Sequence, residues 1–128
     1  MKLLYLDDLQ SKKLLELGFE RRFYKDEVAP FDFYLYNNDE WCLGGNIYKE
    51  SLLAPKEVHE RGARLLSTDD LVSWFEENNY SFELTYAVQG IGYRILATNK
   101  INNETFKAKG TNITFALGNV LEKILKKK

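Results

Sequence analysis

The sequence predicts an α+β fold, a mainly antiparallel sheet flanked by helices. Three observations lead there. Stretches with a helical apolar repeat alternate with stretches rich in aromatic and β-branched residues, in the order helix, strands, helix, helix, three strands, helix. No strand–helix–strand crossover of the doubly wound kind appears, which favours antiparallel pairing. The composition is that of a packed chain: 128 residues, 45% hydrophobic, with eight Phe, eight Tyr, two Trp and only two prolines. Large rings bury much area each, so a core can be built at this length.

The first helix is predicted in "LDDLQSKKLLELGF". Asp7 is placed to cap it, Gln10 to close a capping box, and Gly18 to end it as the glycine just past the C-terminus. Leu6, Leu9, Leu14 and Leu17 form its expected apolar face. "FDFYLY" alternates from Phe31 to Tyr36, "NNDE" supplies a turn, and "WCLGGNIY" returns as the partner strand. Gly44–Gly45 suggests a bulge, and Pro30 marks an edge or a break. "APKEVHERG" reads as a short helix with Pro55 at its first position and Gly62 beyond its end.

A longer helix follows in "LLSTDDLVSWFEENN". Ser67 or Thr68 caps it, and Asp69 and Asp70 lie in the first turn, where the helix dipole favours them. Three strands are expected next: "SFELTYAVQG", "GYRILATN" and "ETFKAKG". "TNITFALGNVLEKILKKK" is the last helix. Thr111 or Asn112 caps it, and Ile113, Leu117, Val120, Leu121 and Ile124 form its stripe. "LDDLQSKKLLELGFERRFY" and "TDDLVSWFEENNYSFELTY" share an Asp-Asp-Leu helix start followed by aromatic strand residues. The chain therefore reads as one α+β domain over 1–128, with two small related helix–sheet–helix units, 1–64 and 65–128, as the alternative.

Net charge is −1, but its distribution is uneven. Residues 1–86 hold ten Lys/Arg against seventeen Asp/Glu, a net of −7. Residues 87–128 hold eight against two, a net of +6. Either the two parts face each other, within one fold or across a dimer, or the basic part meets an outside anion. A single cysteine and a single histidine exclude an intrachain disulfide and a zinc cluster, and no cofactor is implied. "MKLLYLDDLQ" is too short an apolar run for a secretory core, and no stretch has the length of a membrane span, so a cytoplasmic location is expected.

The sequence offers no catalytic constellation. Cys42 has only His59 as a possible base and reads as a buried structural thiol. His59 reads as a surface histidine with no ligand one turn on. Adjacent acid pairs point about 100° apart on a helix, and those at helix starts are explained by capping. "GIGYRI" lies between strands, so it is a hairpin turn and not a pyrophosphate cradle.

Two resemblances bear on the C-terminal half. Residues 68–128 resemble a double-stranded RNA-binding domain in element order. That family clamps phosphates with a Lys-Lys-x-x-Lys start to its last helix. Here the position reads "TNITFAL", without a cation. Residues 62–125 resemble a segment of small phage and prophage proteins of the ABA sandwich type. Gly62, Leu66, Ser67, Leu71, Trp74, Tyr93, Ala116 and Leu117 carry this likeness. It implies a helix–sheet–helix plan and a phage origin, and no activity.

The function expected is therefore that of a non-enzymatic accessory or protein-interaction protein, binding a protein partner or itself, with no membrane. The alternative is a nucleic-acid-binding module that uses a basic sheet face. Arg94, Lys100, Lys107 and Lys109 are the candidate binding residues under either reading, joined by the terminal lysines under the nucleic-acid one. Lys107 and Lys109 share a strand face, and register decides whether Arg94 joins them.

Overall fold

The computed structural model describes residues 5–21, 28–29, 32–43, 53–86 and 92–127. It contains α1 (Asp8–Glu16), β1 (Asp32–Tyr36), β2 (Asp39–Leu43), α2 (Leu53–Arg61), β3 (Ala63–Leu65), α3 (Thr68–Glu77), β4 (Tyr80–Tyr86), β5 (Tyr93–Asn99), β6 (Thr105–Gly110) and α4 (Ile113–Lys127). The fold is α+β, and all strand pairing among the described residues is antiparallel. The strands form two three-stranded sheets, ordered β2-β1-β3 and β4-β5-β6. The bulge at Gly44–Gly45 and the break at Pro30 lie outside the described residues.

Local chemistry accounts for most boundaries. Asp7 caps α1 by accepting the Gln10 amide at 2.8 Å. The reciprocal half of the expected capping box is not made: Gln10 Oε1 is buried and has no hydrogen-bond partner. At the other end Gly18 adopts φ +99°. The Gly18 amide bonds Leu15 O and the Phe19 amide bonds Leu14 O, a complete Schellman motif. Asn37 and Asn38, both left-handed, turn β1 into β2 as a two-residue hairpin of the I′ kind. Ser67 and Asp70 close a reciprocal capping box on α3, and Asn112 caps α4 through the Phe115 amide.

Several expectations need correction. Leu9 is 74% exposed. It lies about 140° around the helix from Leu14, and Ser11 occupies the buried face in its place. There Ser11 Oγ accepts the Leu66 amide at 2.9 Å. Ile113 stands off its stripe for a similar reason, with Thr114 buried in its stead and bonded to Thr68. Helix α2 starts at Leu53, so Pro55 is its third residue, not its first. The three-residue β3 was not legible at all. "ARL" is too short to show a period, yet it pairs with the middle of β1.

The larger core gathers Leu6, Leu14 and Phe19 from around α1, Leu71, Trp74 and Phe75 from α3, and Ala116, Leu117, Val120, Leu121 and Ile124 from α4. These pack on the inner row of the second sheet: Tyr80, Ile95, Ala97 and Ala108. A smaller core under α2 holds Val28, Tyr34, Leu43 and Val58.

A buried ion pair ties Arg21, which follows α1, to Asp32 at the start of β1. Arg21 Nη1 and Nη2 donate to Asp32 Oδ1 and Oδ2 at 2.6 and 2.9 Å. Asp32 also accepts the Ala29 amide at 2.7 Å, and Arg21 stands 3.6 Å from Asp70. Burial acts to lower the Arg21 pKa. The hydrogen bonds and charge of Asp32, with the charge of Asp70, outweigh it and raise the pKa, so the guanidinium stays charged. Removing one partner strands the other charge in the interior. Asp32→Ala is expected to cost about 3–5 kcal/mol in urea unfolding, and the double change Arg21→Met with Asp32→Leu should recover most of that loss.

Candidate functional site

Two hydrogen bonds set the phase of the second sheet. The Asn99 amide bonds Glu104 O, and the Lys100 amide bonds Asn79 O. Antiparallel ladders alternate, so Leu96↔Lys107 and Arg94↔Lys109 are non-hydrogen-bonded pairs across β5 and β6. Their side chains are the closer kind of cross-strand neighbour. The same alternation turns Tyr80, Phe82, Tyr93, Ile95, Ala97, Phe106 and Ala108 toward the helices. Ser81, Glu83, Thr85, Arg94, Leu96, Thr98, Thr105, Lys107 and Lys109 line the opposite face.

Register thus brings three of the four candidate residues together. Arg94 sits directly across from Lys109, and Lys107 is one step along the same face. They border an open groove of about 760 Å³ with Glu83, Leu96 and Lys123. Like charges facing each other across a sheet are destabilising. Among the described residues, no ion pair within 4 Å relieves Arg94, Lys107 or Lys109. Lys100 is elsewhere. It is an exposed residue of the Asn-rich turn at the far end of β5, where its amide bonds Asn79. Asn99 Oδ1 shapes that turn by accepting the Ile101 and Asn102 amides.

Lys123 was not among the candidates. Its signal is a polar stripe on α4 at Asn119, Lys123 and Lys127. Four helix residues advance about 6 Å, close to the two-residue repeat of a strand. Asn119 Nδ2 donates to Lys109 O at 2.7 Å and Lys123 Nζ to Lys107 O at 2.5 Å, while Lys127 pairs with the Glu104 carboxylate. The stripe therefore covers the outer backbone edge of β6 and brings one more ammonium to the rim of the groove. Lys126 is bonded to Glu122 at 3.1 Å and Lys127 also lies over Phe106, so these two terminal lysines are engaged within the chain.

Helix α3, β4 to β6 and α4 have the helix–three strands–helix order, with both helices on the inner face. The start of α4 carries Asn112, Ile113, Thr114 and Phe115, and no cation. Leu66, Leu71, Trp74, Ala116 and Leu117 are buried, and Ser67 is the α3 cap.

In the first sheet, Cys42 is exposed and not buried. It pairs with Phe33, so alternation turns Trp41 and Leu43 inward and the thiol outward. Tyr34 faces the side covered by α2. His59 is half-buried there, with Nδ1 3.0 Å from the Tyr34 hydroxyl, which also accepts from Arg64 at 3.2 Å. Cys42 and His59 thus serve opposite faces of the sheet and do not form a thiol–base pair. Tyr36 donates to Glu57, and that bond raises the phenol pKa.

No helix among the described residues is long and apolar enough to cross a membrane. No family model, no curated protein and no solved structure matches the chain.

The seat of α4 adds a pH dependence. Burial acts to raise the Glu122 carboxyl, but hydrogen bonds from Lys126 and Lys13 outweigh it and hold its pKa below the usual value. A carboxyl with a lowered folded pKa adds stability above its unfolded value and loses it as pH falls through the folded one. Glu122→Gln should therefore lower the melting temperature slightly at neutral pH. The difference from wild type should close as pH falls below about 4.

Proposed function

We propose that the protein is a non-enzymatic interaction module and that the open face of the β4-β5-β6 sheet docks an acidic segment of a partner protein. The observation that carries this reading is the direct opposition of Arg94 and Lys109 at a non-hydrogen-bonded pair, with Lys107 beside them and Lys123 at the rim. An unrelieved cationic pair costs stability in the isolated chain. A carboxylate-bearing partner relieves it and gains charge-assisted hydrogen bonds.

The rest of the face fits a peptide better than a nucleic acid. Leu96 offers an apolar contact between the cations, and Glu83 accepts hydrogen bonds from a partner backbone. Among the described residues no aromatic side chain of β4 to β6 stands on this face, so a single strand finds no stacking platform there. The start of α4 lacks the cations of a duplex-RNA clamp.

Fluorescence anisotropy with a labelled oligoglutamate peptide, a single-stranded oligonucleotide and a duplex tests this reading. The peptide should bind in a salt-sensitive manner. Arg94→Gln, Lys107→Gln and Lys109→Gln combined should weaken it roughly tenfold or more, since each exposed pair contributes a few tenths to about 1 kcal/mol. Lys100→Gln should change little. Binding of an oligonucleotide without the peptide, or a triple variant that binds as well as wild type, would overturn the reading.

A further inference from the structure

The two edges of the second sheet are treated differently. The phase that turns the backbone of Lys107 and Lys109 outward on β6 makes Ser81, Glu83 and Thr85 the hydrogen-bonded partners of β5. The amides and carbonyls of Phe82, Leu84 and Tyr86 therefore point out from the free side of β4. The outer edge of β6 is covered by Asn119 and Lys123 of α4. On β4 no backbone partner is found for these groups among the described residues.

Edge strands are usually protected by lysine, proline, a bulge or a covering element. "YSFELTY" has no lysine, no proline and no break in its register with β5. Phe82 and Leu84 are only partly buried on the core side, and Tyr86 is 61% exposed at the end of the strand. An added strand would satisfy the backbone groups and cover these side chains together.

We propose that the occupant of this edge is the β4 strand of a second copy, paired antiparallel about a two-fold axis at Leu84. Two neighbouring axes are worse. An axis at Glu83 sets two carboxylates directly opposite each other. An axis at Phe82 runs Asn79, whose φ is +62° and not extended, into the partner strand. With the axis at Leu84, Phe82 faces Tyr86 of the second copy and Glu83 faces Thr85 of the second copy. The first is an aromatic pair and the second a neutral one. The result is a continuous six-stranded sheet with a basic groove on each half. Glu83 and Thr85 also line the groove, so the paired strands form its β4 margin. The edge is short and buries less than about 1,200 Å², which places it among weak, concentration-dependent interfaces.

The test is sedimentation across protein concentration under reducing conditions, which exclude a dimer linked through Cys42, together with amide hydrogen exchange. A monomer–dimer equilibrium is expected, with the Phe82 and Leu84 amides gaining protection as concentration rises. Tyr86→Lys should raise the dimer dissociation constant roughly tenfold by placing a charge on the edge. Tyr86→Lys also gives up the ring contact with Tyr93, so its melting temperature at low concentration should fall slightly, and the dimer constants are compared where both proteins are fully folded. Thr85→Lys faces Glu83 of the second copy and should tighten the dimer. A monomer at every concentration overturns the proposal. So does a dimer whose Phe82 and Leu84 amides exchange freely, or one indifferent to both substitutions.

Discussion

Arg21 carries a guanidinium into the interior, and three separated pieces of chain arrange themselves around that charge. Asp32 meets it with both oxygens, at the first residue of β1. Asp70 approaches it from the first turn of α3 while closing that helix's capping box. Arg21 itself follows closely on the Schellman turn that ends α1. A buried cation is tolerated only when its donors are matched in fixed directions. The pair therefore constrains how the first sheet meets the α3 end of the larger core. Burying it is weak evidence for stability as such. Its contribution is to allow one arrangement of the elements and to penalise others that leave the charge unpaired.

From that arrangement the site follows by register. α3 ends at a short turn, β4 begins at Tyr80, and the Lys100–Asn79 bond fixes the phase of β4 against β5. One residue of slip would have turned Arg94, Lys107 and Lys109 onto the helix side and the apolar row out to water. The core row of rings and aliphatic residues makes such a slip costly. The basic face is thus a by-product of a strongly determined inner face. Its like-charge opposition is the part that packing does not explain. Helix α4 contributes twice: it fills the core through Leu117, Val120, Leu121 and Ile124, and it covers the β6 edge through Asn119 and Lys123.

Much of the fold was legible because its signals are local. The caps at Asp7, Ser67 and Asn112, the Asn37–Asn38 turn and the glycine after α1 each act over a few residues. The alternation of "TFKAKG" showed one wet face with two lysines. What was not legible depends on contacts far apart in sequence. β3 exists because β1 offers it an edge. Leu9 looked like core because leucine usually is, but Ser11 had the better angle and a partner in the Leu66 amide. Cys42 was misplaced by its apolar neighbours, since strand alternation and not neighbourhood decides its side. Lys123 belongs to the groove through the packing of α4 beside β6, which its spacing to Asn119 and Lys127 hinted at without proving.

The central claim is that Arg94, Lys107 and Lys109 act as one surface for an acidic protein segment, apart from the Lys100 turn. Titrating the ¹⁵N-labelled protein with an acidic peptide and mapping amide shifts tests this most directly. The account predicts that perturbed amides cluster on β5 and β6 around Arg94, Leu96, Lys107 and Lys109, extend to Lys123, and spare Lys100 and its turn. Shifts centred on the Lys100 turn, or spread without a centre over all the exposed lysines, would contradict it.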